Sequence, residues 1–153
     1  MRYESTTAPP AATVNAVLDV LRAYNRRHNA EFYAVRELPE NAARPLHVFA
    51  CDDAGEVVGG AIGQSQFKWM KVEYVAVRDD LRGRGIGRRL MEETEAEARR
   101  RGCSYMFLDT MSYQAPEFYR KLGYRVAGEI EDWDSHGNGK YFFVKTLGEG
   151  KSE

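Results

Sequence analysis

Between residues 8 and 25 apolar side chains recur at steps of three and four, with Val14, Val17, Leu18 and Leu21 on one stripe, which predicts a helix. Pro9 and Pro10 stand where a first turn tolerates proline. Residues 31–38 fit either an extended segment or a short helix. The period then shortens. Two runs, 46–51 and 57–62, are joined by Asp52-Asp53-Ala54-Gly55-Glu56, the signature of a β-hairpin. Residues 69–77 predict a third strand. After Gly87 the helical period returns, with Ile86, Leu90, Thr94 and Ala98 on one stripe and Glu92, Glu93, Glu95 and Glu97 outside it; Gly102 marks the stop. Residues 105–110 read as a buried strand, and 116–122 as a short helix closed by Gly123. Two further strands, 124–130 and 140–146, flank a turn-rich stretch containing Gly137-Asn138-Gly139, and 148–153 read as a loose tail. Helices separate some strands and hairpins others, so the pattern predicts a mixed α/β or α+β domain, not a bundle or a sandwich.

Composition narrows the classes. The 153 residues are one domain's worth, long enough to bury about 70% of the unfolded chain's surface, and no linker or repeat divides them. Hydrophobic residues at 43% and charged residues at 29% exclude disorder, collagen-like repeats and a small disulfide scaffold. Acidic and basic residues number 23 and 22, a net charge of -1, which argues against a general nucleic-acid coat. The basic run Arg99-Arg100-Arg101 reads as a solvated helix end, since cations are favourable there and glutamates precede it at four-residue spacing. No apolar stretch approaches the roughly 20 residues that span a membrane, and no apolar signal core follows Met1, so the cytoplasm is the expected compartment. Cys51 and Cys103 stand far apart and read as reduced thiols in or beside strands, with a disulfide as the alternative. His28, His47 and His136 have no ligand-spaced partners, so no metal is expected.

The stretch from Val75 to Arg89 carries the most chemistry. A strand runs into Arg82-Gly83-Arg84-Gly85-Ile86-Gly87-Arg88-Arg89, and this runs into a helix. The glycines let backbone N–H groups converge, and the helix adds its positive end. Arginines crowded at that end oppose the helix dipole by about 0.3–1 kcal/mol each, so helix stability alone would not select them. A docked phosphate or pyrophosphate would turn the cost into binding. A P-loop needs Lys-Ser/Thr after its last glycine, where Arg88-Arg89 stands, and a dinucleotide fingerprint needs a Gly-x-Gly-x-x-Gly spacing that is absent.

These residues resemble the GNAT N-acetyltransferases. Arg82-Gly83-Arg84-Gly85-Ile86-Gly87 is similar to that family's Arg/Gln-x-x-Gly-x-Gly/Ala signature. The segment Ala115-Pro116-Glu117-Phe118-Tyr119-Arg120-Lys121-Leu122-Gly123-Tyr124 is similar to its Ala-x-x-x-Tyr-x-x-x-Gly-Phe block. The wording around Leu108-Asp109-Thr110 and Gln114-Ala115-Pro116 resembles small bacterial members. The resemblance implies a central mixed, mostly antiparallel twisted sheet flanked by helices and splayed between the fourth and fifth strands. It implies acetyl-CoA as co-substrate. The loop amides from Gly83 to Arg88, with Arg82, Arg84 and Ile86 among them, would hold the pyrophosphate. Val75, Ala76 and Val77, on a bulged strand, would pair with the pantetheine arm, and a backbone N–H there would polarise the thioester carbonyl. Where the family often has an asparagine, this chain has Ser112, with Gln114 nearby.

The activity so implied is acetyl transfer to a primary amine by direct attack in a ternary complex, with a small-molecule acceptor preferred. The alternatives are a non-catalytic acyl-CoA sensor and acetylation of a protein amine. Tyr119 is the expected general acid at the sulfur, since a phenol keeps its proton at neutral pH. Glu73 and Asp109 are the candidate bases. Trp69, Tyr74, Tyr105 and Tyr113 are candidates to line an acceptor pocket, which the loop holding Trp133 and His136 could cover. Homodimers are common among proteins that look like this one.

Overall fold

In the computed structural model, which describes residues 1–148, the predicted hairpin closes as its sequence suggests. Asp52 accepts the amides of Ala54 and Glu56 through Oδ1, and Gly55 takes a φ of 84°. The predicted tail, from residue 149 onward, lies outside the described residues. The chain divides into two compact units, Met1–Ala42 and Ala43–Glu153. In the first, α1 (Ala11–His28) and α2 (Ala30–Arg36) meet through Asn25, which donates to the Tyr33 hydroxyl at 3.0 Å, and through an Arg26–Glu37 ion pair. The segment that fitted either strand or helix is therefore helical. Glu31 in its first turn and Arg36 in its last both complement the helix dipole.

The second unit holds β1 (Arg44–Cys51), β2 (Val57–Gln66), β3 (Trp69–Val77), α3 (Ile86–Arg100), β4 (Tyr105–Met111), α4 (Pro116–Lys121), β5 (Arg125–Ile130) and β6 (Lys140–Thr146). The sheet order is β1-β2-β3-β4-β6-β5, antiparallel except where β3 meets β4. That parallel ladder covers only Trp69–Lys71 against Tyr105–Phe107, and beyond it the strands have no register. The expected splay thus lies between the third and fourth strands in this chain's own count. Met70, Val72, Met91, Met106, Leu108, Tyr119, Tyr124 and Phe143 form one core beneath α3 and α4.

β2 runs four residues beyond its predicted end. Gly63-Gln64-Ser65-Gln66 lacks an apolar signature, yet it pairs with β3 throughout and with β1 as far as Ser65. Ser65 is 2% exposed and is satisfied by Arg101, which also reaches the carbonyls of Arg44 and Pro45. Arg101 is therefore no solvated helix end. It ties the end of α3 to the sheet. Gly63 is required by space, because a Cβ there would overlap the Lys71 carbonyl oxygen across the ladder. Gly63→Ala should destabilise the fold by at least the roughly 1–3 kcal/mol of an overpacked core. Chemical denaturation checks this, and a wild-type midpoint would exclude the clash.

Leu90, Thr94 and Ala98 are buried along α3 as the stripe predicts, but so are Met91 and Glu95. The expectation that Glu95 lies outside the stripe is corrected: Lys145 draws it in with an ion pair at 2.7 Å. Gly102, at φ 77°, closes the helix, with the Cys103 amide bonded to the Ala98 carbonyl. Both cysteines are free thiols, Cys51 exposed and Cys103 buried. No helix among the described residues is long and apolar enough to cross a membrane, and none of their His, Cys, Asp and Glu side chains group as a metal site.

Candidate active site

The opening between β3 and β4 begins with a bulge. Ile62 faces Tyr74 while Gly63 faces Val72, so Glu73 is the extra residue in β3. Met70 and Val72 point inward, Glu73 and Tyr74 are both exposed, and Val75 and Val77 turn inward again. Beyond the bulge the Arg78 amide donates to the Val58 carbonyl of β2. Backbone groups alternate along a strand, so Ala76 also addresses β2, whereas Val75 and Val77 turn theirs toward the side that β4 has left. Of the three residues expected to pair with an extended ligand, only these two offer backbone groups on the open side. The Val77 carbonyl already accepts from Arg82 Nε at 3.3 Å.

The loop follows directly. A single 3-10 turn, Asp79–Leu81, leads to Gly83 and Gly85, with φ of 78° and 83°. A Cβ at either would meet nothing within 4 Å, so the backbone angle, not space, requires glycine. Gly85 caps α3 without a side-chain bond, and the first turn holds no acidic residue. Helix geometry therefore leaves the amides of Ile86, Gly87 and Arg88 without intrahelical acceptors. The arginines divide in two. Arg82 pairs with Asp79 and Arg89 with Glu93, while Arg84 and Arg88 have no ion pair among the described residues. Converging donors, an uncapped helix start and two unspent guanidinium groups fit a pyrophosphate. The open backbone of Val75 and Val77 fits an extended amide chain added as a strand.

α4 brings the phenol. Pro116 starts this helix, and Gln114 steadies the turn before it by accepting the Met111 amide and the Thr110 hydroxyl. Gly123, at φ 85°, ends it, with the Tyr124 amide bonded to the Tyr119 carbonyl. A Cβ at Gly87 would lie 3.4 Å from the Phe118 ring and 3.7 Å from Val77 Cγ2, so the first turn of α3, the end of β3 and α4 converge. Tyr119 follows Phe118. Its ring, 8% exposed, packs edge-on to Phe118 and Tyr124 and tilts against Phe143. Among the described residues nothing hydrogen-bonds its hydroxyl. Burial, and then the charge of Asp109, push its pKa from 10 up to about 12.

The two candidate bases differ in their company. Asp109 is bound by Lys140 Nζ at 2.7 Å, and Lys140 also lies over the Trp133 ring. Glu73 accepts from the neutral amide of Gln64 at 3.2 Å, with Lys71 at 3.4 Å. Spacing along the chain did not announce Lys140 or Gln64, because strand register creates both neighbourhoods. Ser112 is committed as well. Its amide and hydroxyl bind the Gly139 carbonyl and amide, fastening the Trp133 loop to the end of β4. Asp132 and Asp134 fold that loop by accepting the amides of Gly137, His136 and Asn138. Trp69 and Tyr105 stack at 4.8 Å where β3 and β4 still pair, away from the opening. Tyr74 lines a shallow concavity of about 370 Å³ with Phe49 and Ile62, and Tyr113 stands exposed after β4.

Comparison with known proteins agrees with this geometry. The model of the acetyltransferase (GNAT) family matches residues 14–124. Blasticidin-S acetyltransferase of Streptomyces morookaense is 37% identical over 131 aligned residues, with 83% of this chain and 96% of that protein covered. An acetyltransferase of Agrobacterium fabrum is 29% identical over 130 residues, covering 85% and 88%. The crystal structure of an acetyltransferase from Bacillus cereus superposes with a TM-score of 0.73 at 26% identity, covering 94% of this chain and 97% of that one. A sheet that opens beside a glycine-rich helix start leaves a free strand edge next to an anion-holding turn, and with this family match the chain belongs to the GNAT acetyltransferases, acetyl-CoA-dependent N-acetyltransferases.

Proposed function

We propose that the acceptor is a primary amine on a small cationic molecule, attacked directly in a ternary complex through Glu73 as base and Tyr119 as acid. What carries the reading is the convergence at Gly87, where Phe118 and Val77 meet the start of α3. The phenol then stands one residue from the contact that joins α4 to the phosphate-holding turn. The nitrogen lone pair attacks the thioester carbonyl carbon, the C–N bond forms and the C–S bond breaks. The amine's surplus proton leaves toward Glu73, and the departing thiolate receives a proton from Tyr119. An N–H on the open side of β3 is suited to the developing oxyanion.

The likeness to an enzyme that acetylates blasticidin S supports a small acceptor over a protein one. A panel of blasticidin S, polyamines, amino acids and a peptide with a free amino terminus, read by mass, tests this. Transfer to a small amine is expected. Transfer to the peptide alone, or acetyl-CoA binding without any transfer, overturns the reading. The homodimer implied by the resemblance belongs to the same reading, and sedimentation of the free chain tests it.

An acceptor ammonium with a pKa of about 10 must lose a proton before it attacks. Glu73→Gln should lower kcat by about 10²-fold or more, most severely on the acidic side of the profile. Asp109→Asn should cost far less, since that carboxylate is engaged by Lys140. Paired pH–rate profiles check the ranking, and an Asp109 effect exceeding that of Glu73 reverses the assignment.

A further inference from the structure

Among the described residues Glu95 is the only charged side chain that is buried, at 7% exposure. Both its carboxylate oxygens accept from Lys145 Nζ, at 2.7 and 2.8 Å. The same ammonium donates to the Leu122 carbonyl at 2.7 Å, the residue that follows α4. One polar knot thus joins α3, β6 and the C-terminal end of α4. It touches the aromatic cluster too. Lys145 Nζ lies 5.3 Å over the Tyr124 ring, which meets Tyr119 edge-on at 6.0 Å.

α4 has six residues, far fewer than an isolated helix needs, so tertiary anchors set its position. Phe118 against Gly87 anchors one side, and Lys145 on the Leu122 carbonyl anchors its end. A buried ion pair is a poor stabiliser beside apolar residues of the same volume, but its directed hydrogen bonds fix geometry in a way that packing alone does not. We propose that the Glu95–Lys145 pair is a positioning element for Tyr119, clamping the end of α4 so that the phenol keeps one direction toward the coenzyme sulfur. This rests on the reading of Tyr119 as the acid.

The probe is coenzyme A itself, whose thiolate absorbs in the ultraviolet, so the bound thiol can be titrated without any acceptor. A phenol donating to the sulfur favours the thiolate, and the bound thiol should titrate about one pH unit lower in the wild type than in Tyr119→Phe. Glu95→Gln and Lys145→Met should each move that titration upward, toward the Tyr119→Phe value, and neither should add anything in the Tyr119→Phe background. The shared direction decides the matter. Removing a negative and a positive charge would shift the thiol in opposite senses if the pair acted only through its field. Asp109, whose charge acts on the phenol, Tyr124 against its ring, and Arg99, 3.6 Å from Glu95, are unchanged in every variant.

Opposite shifts overturn the proposal. So do wild-type titrations in both variants with cooperative melting retained, or shifts that add to that of Tyr119→Phe. Lys145→Gln replaces Lys145→Met if the latter does not fold. A Tyr119→Phe protein with an unmoved thiol defeats the acid assignment and the clamp together, an outcome distinct from Tyr119 mattering while the pair does not.

Discussion

Tyr119→Phe should lower kcat by about 10²–10⁴-fold while the dissociation constant for acetyl-CoA changes by less than about twofold. The substitution keeps the ring, so its edge-on contacts with Phe118 and Tyr124 and its place against Phe143 survive. Only the hydroxyl is lost, and among the described residues nothing else bonds it. The sign of the pKa shift matters. Desolvation penalises the phenolate and the nearby Asp109 carboxylate repels it, which together hold the phenol protonated up to about 12. The acid is therefore protonated at neutral pH, and its ionisation should depress the rate only on the alkaline side of the ordinary phenol range. Single-turnover rates with a verified acceptor, together with calorimetric binding of acetyl-CoA, check the split. A folded variant with an unchanged chemical step would remove Tyr119 from the mechanism.

Gly85→Val should reduce acetyl-CoA affinity by about 10²-fold or more with the sheet and core intact. At φ 83° a β-branched residue pays the left-handed penalty of about 1–2 kcal/mol and escapes it by turning the backbone. That rotation swings away the amides that open α3. Little else should suffer, because a Cβ there meets nothing within 4 Å. Arg84→Ala and Arg88→Ala should each weaken binding more modestly and flatten its dependence on salt, since both guanidinium groups lack ion pairs among the described residues. Arg82→Ala should act mainly on the loop, through its bonds to Asp79 and the Val77 carbonyl. Titration calorimetry at two salt concentrations separates the cases. Full affinity in Gly85→Val would move the phosphate site elsewhere.

The loop was legible in the sequence because its signals are local: glycines where the backbone must turn left-handed, and arginines where a helix start repels them. The bulge was half legible. A bulge in this strand was expected only from the family resemblance, and that Glu73 is its extra residue follows from the register with β2. The end of β2 was not legible, since Gly63 through Gln66 carry no apolar period and the buried Ser65 among them is satisfied by Arg101, thirty-six residues along the chain. Glu95 looked like any helix-surface glutamate because its partner lies fifty residues further along the chain. Asp109 likewise meets Lys140 only once β4 and β6 are set in register. Long-range pairing, not local propensity, decided every feature that was missed.

The short ladder between β3 and β4 has a thermodynamic consequence. Past Lys71 the sheet forgoes the hydrogen bonds that would complete it, and the Val75 backbone groups and the Val77 amide are left without a strand partner. An acyl-CoA that fills this edge supplies the missing rungs only to the folded chain, so ligand concentration and fold stability become linked quantities. At one hundred times its dissociation constant the ligand should add about 2.7 kcal/mol to unfolding. In hydrogen exchange the amides that open only by global unfolding should all slow by that amount, and those of Val75, Val77 and the first turn of α3, which open locally, should slow as well where the ligand covers them. In a cell whose acetyl-CoA rises and falls, the unfolded fraction of this protein would then fall and rise with its co-substrate supply.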